Sequence, residues 1–212
     1  MDERATGIVL RVRLLTETSL VVHWLTEEAG RIATVARGAR RPKSPFRGKL
    51  DLFFLARIAF QRSSRSELHS LREMELRDTH AAVRTSLEYL NQASYAGALI
   101  EQVTEPETPV PELFALLKGF LASFPAREPG ALPVFAFEMK LLNEIGLCPP
   151  LAEVKLSEGS RKVLEKCLEM DWKELTALQL SNQQTDEIKR FLQGFMQYHL
   201  GRVPAGRSEA AG

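Results

Sequence analysis

The first 78 residues alternate between apolar and polar positions with a period of two, the pattern of half-buried β-strands. In the first run, residues 6–15, the apolar positions share one face and two arginines share the other: Ile8, Leu10, Val12 and Leu14 against Arg11 and Arg13. Four further runs follow, separated by short polar turns, at residues 19–28, 30–39, 50–62 and 66–78. Five short strands in so short a stretch predict a small closed or nearly closed barrel.

From Thr79 onward the apolar period becomes helical. The stripes predict five helices, around residues 83–103, 113–124, 134–145, 163–168 and 188–196. Gly146 is placed as a C-terminal cap of the third helix. Ser181 and Gln184 have the spacing of a capping box before the fifth. The end of the chain, residues 203–212, is predicted to be a frayed tail.

Composition narrows the class of protein. The chain has 212 residues, of which 44% are hydrophobic, so it can bury a core. No apolar run approaches the roughly 20 residues of a membrane helix. The N-terminus lacks the basic region and apolar core of a signal peptide. Cys148 and Cys167 form no paired motif, so we expect free thiols in a reducing cytoplasm.

Charge is distributed unevenly between the two halves. Residues 1–80 carry 15 Lys and Arg against 10 Asp and Glu, whereas residues 81–212 carry 13 against 17. A basic half followed by an acidic half predicts two modules with different partners.

The positive charge is concentrated in residues 33–50, which we call the basic segment. It holds six cations and no acid: Arg37, Arg40, Arg41, Lys43, Arg47 and Lys49. Arg31 extends the run, which stays free of acids from Ala29 to Leu50. Arginine offers planar, forked donors to phosphate, and Phe46 could stack on an unpaired base or anchor the segment in the core. The segment therefore favours nucleic-acid binding over a merely solvated loop.

Other chemistries have little support. A phosphate-binding loop needs a glycine directly before its Lys-Ser pair, and Pro42 stands there. The histidines are scattered singly and the cysteines are far apart, so neither a zinc site nor another metal site is expected. No nucleophile motif or acidic cluster predicts an enzyme, and a nuclease would need acids to hold its metal.

The N-terminal residues resemble those of the RecO family of bacterial recombinational repair proteins. The shared pattern is a strand that begins Gly-Ile-Val-Leu, a Thr-Glu-x-x-Gly-Arg turn at residues 26–31, and Ala-Arg-Gly-Ala-Arg-Arg-x-Lys-Ser at residues 36–44. Segments downstream, "LHSLREMEL", "FEMKLLNEIGLCP" and "YHLGR", also resemble that family.

The resemblance implies an N-terminal OB-fold barrel and a C-terminal α-helical domain. Together with the residue patterns, this predicts an α+β chain with the barrel at residues 1–78, the helical domain at 79–202 and a flexible tail at 203–212. It implies a bacterial, cytoplasmic and nucleoid-associated protein without enzymatic activity or cofactor. Such a protein binds single- and double-stranded DNA and anneals complementary strands. With RecR, it helps to load RecA onto DNA that is coated by single-strand-binding protein (SSB), whose C-terminal tail would be a further contact.

One departure concerns zinc. Many members of that family carry two Cys-x-x-Cys pairs after the third helix, whereas this chain has only Cys148 there, in a region too short for the finger. We therefore expect no zinc finger. The family's basic segment after "HLGR" is also replaced here by "VPAGRS".

The expected DNA contacts are the six cations of the basic segment, supported by Arg11, Arg13 and Arg31. Phe46 is a weaker candidate, for base stacking. The alternative is a protein–protein adaptor whose basic segment docks an acidic partner such as RecR, with little direct DNA binding.

Overall fold

A computed structural model describes residues 2–212, which form five strands followed by six helices. The strands are β1 (Asp2–Leu14), β2 (Leu20–Thr26), β3 (Gly30–Ala36), β4 (Leu55–Gln61) and β5 (Leu68–Asp78). The helices are α1 (Leu87–Val103), α2 (Pro111–Ala122), α3 (Ala131–Glu144), α4 (Glu158–Glu169), α5 (Asn182–Leu200) and α6 (Arg207–Ala211). Short 3₁₀ turns lie at Ala81–Arg84, Phe124–Ala126 and Glu174–Ala177.

The strands form a closed barrel in the order β1-β2-β3-β5-β4. Neighbours are antiparallel except β3 and β5, which pair in parallel from Ala33 against Leu68 to Val35 against Ser70. This is the five-stranded Greek-key arrangement of the OB-fold. The predicted barrel followed by helices is therefore confirmed.

The barrel encloses an apolar core that includes Trp24, Ile58 and Phe60. The indole Nε1 of Trp24 donates a hydrogen bond of 2.9 Å to Oγ1 of Thr34, so the polar atom of this buried ring has a partner.

A bulge in β1 changes the alternation that the sequence predicts. The pairing of β1 with β2 shifts between Val9 and Arg11. A bulge adds one residue to one strand and so exchanges the faces beyond it, and as a result Val9 and Val12 both contact the barrel core. Leu14 has the parity of Val12 but is the last residue of the strand and is 67% exposed. The prediction that Leu14 shares the buried face was therefore wrong.

Residues 104–115 belong to the same compact unit as residues 1–81, although α1 separates them in the chain. The backbone N–H of Glu107 donates to the carbonyl of Arg31 at 2.8 Å, and Nη2 of Arg31 donates to the carbonyl of Thr104 at 2.7 Å. A Cβ on Gly30 would lie 2.0 Å from the carbonyl oxygen of Thr108, so only glycine permits this approach. The sequence boundary at residue 78 does not anticipate this return of the chain.

The remaining residues, 82–103 and 116–212, form a helical unit. Two predicted caps are confirmed. Gly146 has a φ of +73°, and the N–H of Leu147 donates to the carbonyl of Leu142 at 2.8 Å, which closes a Schellman motif. Ser181 and Gln184 form the capping box of α5.

The apolar stripe predicted over residues 83–103, which includes Leu87, Ala93, Ala96 and Leu99, is buried only in the second half of α1. Ala93, Ala96 and Leu99 are buried, but Leu87 is 68% exposed. Gln92 and Tyr95 take part in the buried face instead. Their polar atoms form hydrogen bonds inside the helical unit, so both residues can be buried although they do not belong to the apolar pattern of the sequence.

The end of the chain differs from the frayed tail that the sequence predicts. Residues 207–211 form α6, in which Arg207, Ala210 and Ala211 are buried. Arg207 pairs with Glu138, a buried carboxylate on α3 that would be costly without a cation. The two residues are 69 positions apart, and no local pattern links them.

Candidate nucleic-acid interface

The basic segment connects β3 to β4 as a series of tight turns. Successive N–H groups donate to the carbonyl three residues earlier, in the pairs Arg41 to Gly38, Ser44 to Arg41, Arg47 to Ser44 and Lys49 to Phe46, at 3.0–3.2 Å. Gly38 and Gly48 take positive φ angles at two of these turns. The segment therefore has a defined conformation, although it contains no regular helix or strand.

Two apolar side chains attach the basic segment to the barrel. Ala39 and Phe46 are 3% and 7% exposed, and both belong to the core cluster of the barrel. The ring of Phe46 is consequently not available for stacking on a base. Of the two roles that the sequence leaves open for this residue, the structure places it in that of an anchor.

All six cations of the basic segment are exposed: Arg37, Arg40, Arg41, Lys43, Arg47 and Lys49. Within residues 2–212, none of these six side chains forms an ion pair with a carboxylate. Arg40 and Arg47 donate through Nη1 to the backbone carbonyls of Glu17 and Pro42, which carry no net charge. The positive potential of the segment is therefore not neutralised by neighbouring acids.

The turn between β1 and β2 holds the basic segment in place, and sequence reasoning missed it. The N–H of Arg40 donates to the carbonyl of Thr18 at 3.0 Å, and the N–H of Gly38 donates to Oγ of Ser19 at 3.2 Å. Turn and segment together line an open cavity of about 470 Å³. Its walls are Leu15, Thr16, Thr18, Ser19, Val35, Arg37, Gly38 and Arg41.

This cavity brings together basic, hydroxyl-bearing and apolar side chains. Arg37 and Arg41 supply positive charge, Thr16 and Thr18 supply hydroxyls, and Leu15, which is 47% exposed, supplies an apolar surface. In OB-folds, the loop between the first two strands commonly contributes to oligonucleotide binding. In the sequence, the β1–β2 turn is visible only as a short polar stretch. Composition alone does not distinguish such a turn from a solvated loop, so its place beside the basic segment could not be predicted.

The three arginines that were expected to support the basic segment differ in how far they are exposed. Arg11 and Arg13 are exposed on β1, in the half of the strand that leads into this turn. Arg31 is only partly exposed, and its guanidinium is bonded to the carbonyl of Thr104. We therefore omit Arg31 from the interface.

Other kinds of site find no support among residues 2–212. No group of three or more His, Cys, Asp or Glu side chains is placed to bind a metal ion. Cys148 is exposed and Cys167 is buried in α4, each as a free thiol. None of the helices in this range is both long enough and apolar enough to cross a bilayer.

Sequence comparisons agree with this architecture. The N-terminal pattern of the family described as recombination protein O matches residues 1–80, and its C-terminal pattern matches residues 84–154 and 148–209. The DNA repair protein RecO of Rhodopirellula baltica is 33% identical over 143 residues, which is 68% of this chain and 53% of that protein.

Two further relatives carry the same description. RecO of Anaeromyxobacter dehalogenans is 34% identical over 148 residues, 70% of this chain and 58% of that protein. RecO of Pelotomaculum thermopropionicum is 26% identical over 232 residues, 94% of this chain and 90% of that protein. The chain thus spans little more than half the length of the first two relatives. With both family patterns covering nearly all of its residues, the chain belongs to the RecO family.

Proposed function

We propose that this chain is a DNA repair and recombination mediator that binds single- and double-stranded DNA and anneals complementary strands. The observation that carries the proposal is the basic segment: six exposed cations without carboxylate partners, fixed on an OB-fold barrel. The descriptions of the relatives as DNA repair proteins support the same role. It would act in the bacterial cytoplasm, at the nucleoid, without catalytic chemistry or a cofactor of its own.

The proposed mechanism is electrostatic. Lys and Arg side chains that neutralise backbone phosphates release condensed counterions, so binding is independent of sequence and weakens with salt. Because Ala39 and Phe46 fix the segment to the barrel, less conformational entropy is lost when DNA binds. Two strands held on one cationic surface repel each other less, which favours annealing.

We also propose that the helical unit receives protein partners. RecR would act with this chain to load RecA onto DNA coated by SSB, and the acidic, apolar tail of SSB would bind in a groove of this unit. A cavity of about 690 Å³ there is lined by apolar groups that include Tyr89, Trp172 and Leu175, together with Arg127.

Arg127 suits a carboxylate ligand. Its side chain is buried among aromatic rings, with Cζ 4.4 Å from the ring centroid of Phe124, and its Nη2 has no protein partner. Burial lowers the pKa of Arg127 to about 10, so the group remains charged at neutral pH. A buried cation with an unused donor complements an acidic peptide that also carries apolar side chains.

The test is a titration of labelled single-stranded DNA across ionic strength, with and without SSB. The wild type is compared with a variant in which Arg40, Arg41 and Lys43 are changed to Ala. We expect steep salt dependence for the wild type and a slope that is lower by about two in the variant, because each phosphate contact contributes about 0.7 to the slope on single-stranded DNA. Lys118→Ala, an exposed cation on α2, is the matched control and should behave as the wild type.

The alternative is an adaptor whose basic segment docks an acidic partner such as RecR. The same exposed cations would serve that role. It predicts weak DNA affinity already at low salt, no effect of the triple substitution on that affinity, and loss of RecR binding instead. That set of results would replace the DNA-binding proposal.

A further inference from the structure

The outer face of α5 carries a row of aromatic side chains. Phe191, Phe195 and His199 follow one another at intervals of four residues, with ring centroids 5.8 Å and 4.2 Å apart. Beside them the ring of Tyr198, 84% exposed, meets His199 edge to face at 4.9 Å. A contiguous patch of exposed aromatic side chains is one mark of an interaction site, whereas a single exposed side chain is not.

Gly194 leaves an open space in this face. It lies four residues after Arg190 and four before Tyr198, in the same row of the helix surface. A Cβ added at Gly194 would meet no atom within 4 Å, so internal packing does not require glycine. In a helix interior glycine costs about 1 kcal/mol relative to alanine. Packing therefore does not explain the glycine at this position, whereas a flat ligand that lies against the helix backbone would explain it.

The residues of the row itself carry positive charges and no negative ones. From Ile188 to Ser208 the sequence contains no Asp or Glu, as in the basic segment of the barrel. Arg190 and Arg202 are exposed at the two ends of the row, and Arg190 Nε donates to the backbone carbonyl of Asp186 rather than to a carboxylate. Of the two acids that lie one turn before Arg190, Asp186 is exposed, and Glu187 accepts from the hydroxyls of Ser157 and Ser160 while also interacting electrostatically with Arg190.

We infer that this face, which we call the α5 platform (Arg190, Phe191, Gly194, Phe195, Tyr198, His199 and Arg202), is a second binding site for single-stranded nucleic acid. Unpaired bases stack on Tyr198 and lie over Gly194, and the phosphates approach Arg190 and Arg202. Exposed rings flanked by arginines are the general means by which proteins hold single strands without reading sequence. A duplex does not fit, because its bases are already stacked on each other.

The inference rests on the proposed DNA-binding function and extends it. The barrel and the helical unit would each hold DNA at a site of its own. The platform adds selectivity for single strands, whereas phosphate contacts at the basic segment serve single strands and duplexes alike.

The test compares Tyr198→Ala with Leu87→Ala in the full chain. Leu87 is a matched control because it is a large, 68% exposed apolar side chain on α1 of the same unit that lies outside the aromatic row. The probes are a single-stranded oligonucleotide that carries 2-aminopurine and the same sequence as a duplex. For Tyr198→Ala we expect about tenfold weaker binding of the single strand, loss of the quenching that stacking causes, and unchanged duplex binding. Leu87→Ala should match the wild type.

Gly194→Gln separates binding from folding. Glutamine favours helix more than glycine does, so the melting temperature should stay the same or rise. Its side chain would fill the open space, so affinity for the single strand should fall. A merely structural role for Gly194 predicts that both quantities change in the same direction.

Three outcomes overturn the inference. Equal single-strand affinity for Tyr198→Ala and Leu87→Ala, beside normal wild-type binding, removes the platform and leaves the proposed function intact. Loss of self-association in Tyr198→Ala, measured by sedimentation, with DNA affinity unchanged, makes the row a contact between copies of the chain. A wild type that binds neither probe removes both the inference and the proposed function.

Discussion

The guanidinium of Arg207 and the carboxylate of Glu138 form a two-point ion pair, with Nε 2.6 Å from Oε1 and Nη2 2.8 Å from Oε2. Both side chains are buried, and Tyr95 donates its hydroxyl to the same Oε1 at 2.6 Å. Burial and the neighbouring carboxylate together raise the pKa of Tyr95, so its hydroxyl stays protonated and remains a donor. This cluster ties α6 to α3.

Arg207→Ala should lower the free energy of unfolding by about 3–5 kcal/mol, because it leaves the Glu138 carboxylate buried without its cation. Urea denaturation measures the change. Arg202→Ala, an exposed arginine five positions earlier, should change stability by no more than about 0.5 kcal/mol. A paired replacement of Glu138 and Arg207 by Leu and Met should recover most of the loss. Equal stability of Arg207→Ala and the wild type would contradict the role of this pair.

Phe46→Ala should destabilise the barrel by about 3–5 kcal/mol, because it leaves a cavity where the ring packs in the core. Phe46→Leu should cost less, since it retains most of the apolar contact. At a temperature where Phe46→Ala is folded, it should bind DNA more weakly but with unchanged salt dependence, because every cation is retained. If Phe46 were instead exposed for stacking, its removal would leave stability unchanged.

Arg41→Ala should reduce the slope of log affinity against log salt by about one, because one phosphate contact is lost. The side chain is exposed and lines the cavity beside the β1–β2 turn. Arg77→Ala serves as the control, since Arg77 lies on β5 and pairs with Glu75 at 2.9 Å. A similar change in slope for both variants would indicate a general charge effect rather than contacts at the basic segment.

Much of this fold can be predicted from the sequence because its elements rest on local patterns. The alternation in β3 and the capping box at Ser181 are visible within a few residues. The basic segment is also visible, since it is defined by composition. What the sequence does not reveal depends on distant partners: Arg207 with Glu138, and Arg31 with Thr104.

The candidate site shows the same limit. The charge of Arg37 and Arg41 predicts that their side chains are exposed. The prolines and cations around Phe46 do not predict whether its ring is buried in the barrel or exposed to solvent. The contribution of Thr18 and Ser19 arises because the basic segment folds back onto the β1–β2 turn. Those contacts join residues about 20 positions apart, through the backbone carbonyl of Thr18 and the hydroxyl of Ser19, and no local pattern in the sequence links them.

The two thiols should differ in reactivity. Burial raises the pKa of Cys167 to about 12, so at pH 8.5 fewer than about one molecule in a thousand carries the thiolate there. Cys148 is exposed, and partial burial raises the pKa of its thiol above the usual value. Iodoacetamide should therefore add one group to the native chain, at Cys148, and two after unfolding in urea, as read by mass spectrometry. Alkylation of native Cys167 would contradict its place in α4.

The return of residues 104–115 to the barrel bears on how this protein can be divided for experiments. A piece cut after Asp78, where the strands end, would lose the backbone partner of Arg31 and the carbonyl that faces Gly30. It would expose β3 at a place where main-chain groups are otherwise bonded, and unpaired strand edges promote aggregation. Aggregation of such an excised barrel would reflect the loss of residues 104–115 and would not be a measure of its affinity for DNA.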